Sequence, residues 1–209
     1  MNRGRHIAAL VAVFTFGAAA IEAAGQEPER FSTDEIATLL EGGVVHRRAP
    51  GPEGGSVIAG SSFAMVDAPP AVVWATLTNV ADWKCIFPNT FEARTLTRRR
   101  NASAVKMTIG NRFFSFDCVL TVVENPQRFE LFYELNKKRP HDIEEAKGHV
   151  RLVALPQGRT LIAFTTMVEV PFGPIIALMG DAVTRVMEQR ILDLPGRLRR
   201  WVEKNRRPP

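Results

Sequence analysis

Between residues 91 and 170 the apolar side chains recur at every second position. Phe91, Ala93 and Thr95 alternate with Glu92 and Arg94, and Val105, Met107 and Ile109 alternate with Lys106 and Thr108. Phe114, Phe116, Cys118, Leu120 and Val122 share one face, against Ser115, Asp117 and Thr121 on the other. Phe129, Leu131, Tyr133 and Leu135 follow, then Ala146, Gly148, Val150 and Leu152, then Ile162, Phe164, Thr166, Val168 and Val170. A period of two predicts strands. The breaks at Arg100-Asn101, Gly110-Asn111, Asn125-Pro126, Arg139-Pro140 and Pro156-Gln157-Gly158 carry turn chemistry. Consecutive strands with one apolar face predict a single antiparallel sheet covered on one side.

The flanking segments follow a helical period. Ser32 with Glu35 three residues on forms a capping box, opening a short helix through Ile36, Leu39 and Leu40 that stops at Gly42-Gly43. Arg48–Gly55 reads as loop and Val57–Asp67 as a strand. Pro69-Pro70 open a helix with Val73, Trp74, Leu77, Val80 and Ala81 as its stripe, and Trp83–Phe87 gives a second short piece ended by Pro88. From Pro174, apolar positions at helical spacing run through Met179, Val183, Met187, Ile191, Leu194 and Leu198 to Val202. Pro195 offers no N–H to the carbonyl of Ile191, which predicts a kink there.

Composition changes this picture little: 209 residues, 45% of them hydrophobic, make one globular domain. The beginning of the chain changes it more. Arg3 and Arg5 precede an uncharged run from Ile7 to Ala20, with small residues at Ala18, Ala20, Ala23, Ala24 and Gly25. That is the layout of a secretory signal peptide over residues 1–25, followed by a helix and linker over 26–55 and the folded domain over 56–209. The expected location is therefore periplasmic or secreted. Charge is local: Arg197, Arg199, Arg200, Lys204, Arg206 and Arg207 gather at the end against Glu203. Such a tail suits a helix C-terminus, a solvated end or an anionic membrane surface. No aromatic platform interleaves with it, so nucleic acid is not an expected partner.

The stretch Val66-Asp67-Ala68-Pro69-Pro70-Ala71-Val72-Val73-Trp74, with Leu77, Asn79, Trp83 and Phe87-Pro88, resembles the opening of the START-like, or SRPBCC, superfamily. That group includes birch-pollen-type allergens, polyketide cyclase/dehydrase-like proteins and coenzyme-Q-binding lipid carriers. Asn79 stands where such proteins often carry Asp. The resemblance implies an α+β helix-grip fold, a curved antiparallel sheet of six to seven strands wrapped around a long C-terminal helix, with two short helices after the first strand. It also implies an apolar cavity between sheet and helix. By strand parity its lining is Phe114, Phe116, Leu131, Tyr133, Val150, Ile162, Phe164, Thr166, Val168, Met179, Val183 and Met187.

Two functions fit such a cavity: holding and carrying a lipid-like molecule, or cyclase/dehydratase chemistry on an aromatic polyketide-like substrate. By the same parity Asp117, Glu134, Glu145 and His149 fall on the outer face, so an inward acid–base pair is missing and carriage is the expectation. His46, His141 and His149 show no metal-ligand spacing and are expected in solvent; no metal or cofactor is expected. Export permits a disulfide between Cys85 and Cys118, although their spacing does not fix their proximity.

Overall fold

The computed structural model describes residues 30–49, 57–110, 115–169 and 188–205. The expected leader, Phe114, Met179, Val183, Met187, Arg206 and Arg207 lie outside these residues.

The helix α1 (Thr33–Leu40) starts as its capping box dictates: the Ser32 hydroxyl accepts from the Glu35 N–H at 3.2 Å, and Glu35 accepts from the Ser32 N–H at 2.8 Å. Next come the strands β1 (Val44–Arg48) and β2 (Val57–Val66), then α2 (Pro70–Leu77) and α3 (Trp83–Ile86). The meander follows as β3 (Thr90–Arg99), β4 (Ala102–Gly110), β5 (Ser115–Asn125), β6 (Glu130–Leu135), β7 (Glu145–Leu155) and β8 (Arg159–Glu169). A helical segment at 188–192 breaks at Asp193 and resumes as α4 (Leu194–Asn205), so Pro195 lies in a first turn, where its missing N–H is harmless.

All strands belong to one antiparallel sheet of order β1-β2-β8-β7-β6-β5-β4-β3. It has eight strands, against an expectation of six to seven. The addition is β1, which pairs with β2 from Val44↔Ala64 to Arg48↔Gly60. This also corrects Arg48 from loop to strand end. Parity fails at Phe91, which is 59% exposed and not inward, because the ladder skips it between the Thr90↔Ile109 and Glu92↔Thr108 pairs. Such a bulge twists an edge strand away from further pairing.

The concave face holds the main core. Val105, Met107, Cys118, Leu120, Leu131, Val150, Ile162 and Phe164 meet Val73 and Leu77 of α2, Trp83 and Ile86 of α3, and Leu194, Leu198 and Val202 of α4. The convex face is covered too, over part of its area. Phe63, Met65 and Leu161 point outward and pack with Val45 and with Leu39 of α1. Arg47 pins this layer, donating to both Glu35 carboxylate oxygens (2.8 and 2.9 Å) while its guanidinium lies over Phe31 and Phe63. The N-terminal helix thus backs the convex face of the sheet.

His149 lies on the convex face as expected, but it is not a solvated residue. Its ring stacks on Phe132, centroids 4.2 Å apart and planes 5° from parallel, and its buried Nε2 has no hydrogen-bond partner among the described residues. Burial, with Arg151 and Arg128 nearby, pushes its pKa from 6.5 down to about 4. A depressed histidine pKa means that the unfolded chain takes up the proton first, so the stability contributed above pH 6.5 is lost as pH falls toward 4. Between pH 7 and pH 5 the unfolding free energy should drop by about 2 kcal/mol on this account. Urea denaturation at the two pH values measures it, and His149→Phe should flatten the difference; an undiminished drop in that variant contradicts the assignment.

Candidate functional site

The cross-strand register assembles the site row by row. Tyr133 on β6 faces Gly148 on β7, Gly148 faces Thr166 on β8, and Thr166 faces Gly60 on β2. With no side chain on Gly148, the Tyr133 ring lies across β7 and its phenol reaches the Thr166 hydroxyl at 2.7 Å. A Cβ built on Gly148 would stand 2.4 Å from the Tyr133 Oη. The next row is apolar, running Leu131, Val150 and Phe164 to the small Ser62. The Tyr133 and Phe164 rings lie 6.5 Å apart and 24° from parallel.

The structure therefore brings together Leu131, Tyr133, Val150, Ile162, Phe164 and Thr166 as one buried wall. Phe116 and Val168 pack against its margin, half-buried. Burial raises the Tyr133 pKa well above the ordinary phenol range, outweighing the Thr166 hydrogen bond, so the group stays a neutral phenol. The end of the wall is closed by α2 and α3. Trp83 is held there by its indole N–H, which donates to the Leu77 carbonyl at 2.8 Å.

Cys85 and Cys118, between which export would permit a bridge, are both free thiols. Cys118 points into the apolar core opposite Met107, while Cys85 is half-exposed on α3. Burial, with Asp117 and Asp142 adding, pushes the Cys118 thiol up to about 12, which leaves it protonated and inert.

The tail is tied in more firmly than a solvated end. Arg197 and Arg200 reach Asp193 at 3.9 and 2.7 Å, and Arg199 donates to the Gly42 carbonyl just past α1. Only Lys204 among the described tail cations stands without a described contact of this kind.

One feature lies outside the sequence expectations. A cleft of about 440 Å³ opens between β1 and the 188–192 segment, lined by His46, Arg48, Glu188, Gln189 and Leu192. Arg48 Nε lies 3.2 Å from Glu188 Oε1 across it. Partial burial lowers the His46 pKa, Asp193 opposing this and Arg48 adding to it. His46 is exposed, as expected, and stands on the rim of this cleft. Its position becomes legible only once β1 is known to be a strand, since His46 and Arg48 then share the face that turns toward the helix.

A family model described as polyketide cyclase / dehydrase and lipid transport matches residues 66–194. Among solved structures, the Zhui aromatase/cyclase from Streptomyces sp. R1128 is similar at 17% identity and TM-score 0.58, over 72% of this chain and 96% of that one. A START superfamily protein from Mycobacterium smegmatis is similar at 18% identity and TM-score 0.57, over 72% of this chain and 99% of that one. Ara h 8.0201 is similar at 12% identity and TM-score 0.51, over 71% and 99% of the two chains. At these identities the structural likeness carries the fold alone. A comparison with curated protein sequences found no match.

Proposed function

The chain belongs to the polyketide cyclase/dehydrase and lipid transport family, and from that premise we propose that it holds and carries a hydrophobic, lipid-like small molecule against the concave face of its sheet. One observation carries this reading: a continuous apolar wall of Leu131, Val150, Ile162 and Phe164 is interrupted by the Tyr133–Thr166 hydroxyl pair. Apolar pockets with a few placed polar groups are what small-molecule sites look like. A cyclase reading calls for an acid, a base or a cation facing Tyr133. The phenol's described partner is a threonine, which orients a ligand hydroxyl or carbonyl but moves no proton at neutral pH.

The proposal places the carrier outside the cytoplasm, on the strength of Arg3, Arg5 and the uncharged run that follows. Binding of a dansyl-labelled undecanoic acid tests the ligand reading. The wild-type protein should enhance its fluorescence and release it to unlabelled palmitate. Tyr133→Phe should weaken binding about threefold to tenfold, the worth of one hydrogen bond. A wild-type protein that binds neither chain would defeat the proposal.

A further inference from the structure

The chain carries no charge from Ala68 to Ala81, and α2 lies inside that run. A helix that covers a sheet ordinarily turns a polar face to water. Here Val73 and Leu77 are buried, while Pro69, Ala71, Val72 and Ala75 are exposed, Val72 by 40%. Thr76, on the same side as Val72, turns its hydroxyl back to the Val72 carbonyl at 3.3 Å. The outer side of α2 is therefore apolar as well. Trp74 is half-buried, and its indole N–H has no partner among the described residues. A tryptophan of this kind suits a boundary between hydrocarbon and water.

Arginines fringe this helix. The Trp74 ring meets Phe129 edge-on at 6.0 Å, which sets α2 beside the β5–β6 turn. The β3–β4 turn is tied to the end of β5, where the Glu124 N–H donates to the Asn101 carbonyl at 2.7 Å. Two strand steps, about 10 Å, separate β6 from β4. Arg98, Arg99 and Arg100 crowd that turn, all exposed. Arg98 is held by Glu124 through two bonds of 3.0 Å, whereas Arg99 and Arg100 make no ion pair or side-chain hydrogen bond among the described residues. The acids at this end of the sheet are Asp67, Glu124 and Glu130, and Glu130 is held by Arg128 and Arg151. With Arg99 and Arg100 added, the excess is positive.

An apolar helix side next to unpaired arginines matches the two layers of an anionic bilayer surface, the acyl boundary and the phosphates. A protein partner is matched less well, because Ala71, Val72 and Ala75 offer none of the large anchors on which protein interfaces depend. We infer that the outer side of α2 and the β3–β4 turn form a docking face for an anionic lipid surface. The cations it uses are Arg99 and Arg100, not the tail arginines that Asp193 and the Gly42 carbonyl already hold. The inference goes beyond the carrier reading and does not depend on what the cavity holds.

Co-sedimentation with phosphatidylcholine vesicles containing about 30% phosphatidylglycerol tests it. The wild-type protein should bind these vesicles, release them as salt is raised, and leave pure phosphatidylcholine vesicles alone. Arg99→Gln/Arg100→Asn should bind about thirtyfold more weakly, at about fivefold per arginine. Asparagine is the replacement at Arg100 because φ there is 49°, a conformation it tolerates. Val72→Asp should weaken binding about tenfold, since it sets a carboxylate against the anionic surface. Lys138→Gln/Arg139→Gln removes the same charge from the exposed loop after β6, at the opposite end of the sheet, and should leave binding unchanged. All five side chains are exposed, so melting temperatures should stay close to wild type and separate lost contacts from lost folding. A wild-type protein that ignores the anionic vesicles, or binds neutral ones equally, overturns the inference. An equal loss in the Lys138/Arg139 variant overturns it too, by tracing binding to net charge alone. Undiminished binding by Val72→Asp removes α2 from the face.

Discussion

Replacing Trp83 with alanine should lower the unfolding free energy by about 3–5 kcal/mol, the usual range for removing a fully buried large aromatic. Trp83 is 1% exposed, and its ring lies 4.8 Å from that of Phe87. Its indole also satisfies the carbonyl of Leu77, the last residue of α2. The substitution therefore opens a cavity and orphans a backbone acceptor at the joint between α2 and α3. Trp83→Phe keeps most of the packing and should lose about 1–3 kcal/mol, mainly for the unpaired carbonyl. Urea denaturation midpoints compare the variants. A Trp83→Ala protein within about 1 kcal/mol of wild type would show that α2 and α3 do not close the core.

The second large effect is expected at Gly148, where Gly148→Val should destabilise by about 3 kcal/mol and abolish binding of the dansyl probe. The new Cβ would sit 2.4 Å from the Tyr133 ring, in the middle of the sheet where the backbone cannot yield. Overpacking of this kind typically costs about 1–3 kcal/mol. The displaced phenol also loses Thr166 and is left buried without a partner. The cause is checked by a double-mutant cycle. In a Tyr133→Leu background, Gly148→Ala should cost much less than it does alone. Additive effects would mean that Gly148 is needed for something other than room beneath the tyrosine.

Much of this fold was legible because the local signals are physical constraints. Ser32 and Glu35 read as a capping box because each can satisfy the other's backbone donor, and they do. Tyr133, Val150, Phe164 and Thr166 share a face because a ladder with unbroken register preserves parity. Phe91 broke the rule because a bulge shifts parity with no warning in the residue types themselves. β1 was hidden by its shortness: of its five residues only Val45 is buried, so Val-Val-His-Arg-Arg carries no alternation to read.

The second, convex layer had a signal that parity alone passes over. β2 is apolar on both faces, with Phe63 and Met65 outward and Ala64 and Val66 inward. A strand buried on both sides demands cover on both sides, and α1 supplies it. The cleft had no comparable signal. His46 and Arg48 meet Glu188 and Gln189 only through the tertiary path that lays the 188–192 segment along β1, across some 140 residues of sequence.

The central claim is that the concave face of this sheet holds a hydrophobic guest, and native mass spectrometry of the protein recovered from its host tests it most directly. The expected spectrum shows a chain shortened at its N-terminus by about the first 20–25 residues. It also carries an additional mass that organic extraction removes and identifies as an amphiphile, and that is lost from Gly148→Val. A full-length chain would contradict the export reading alone. A bare protein that takes up no lipid from an added extract would contradict the account at its centre.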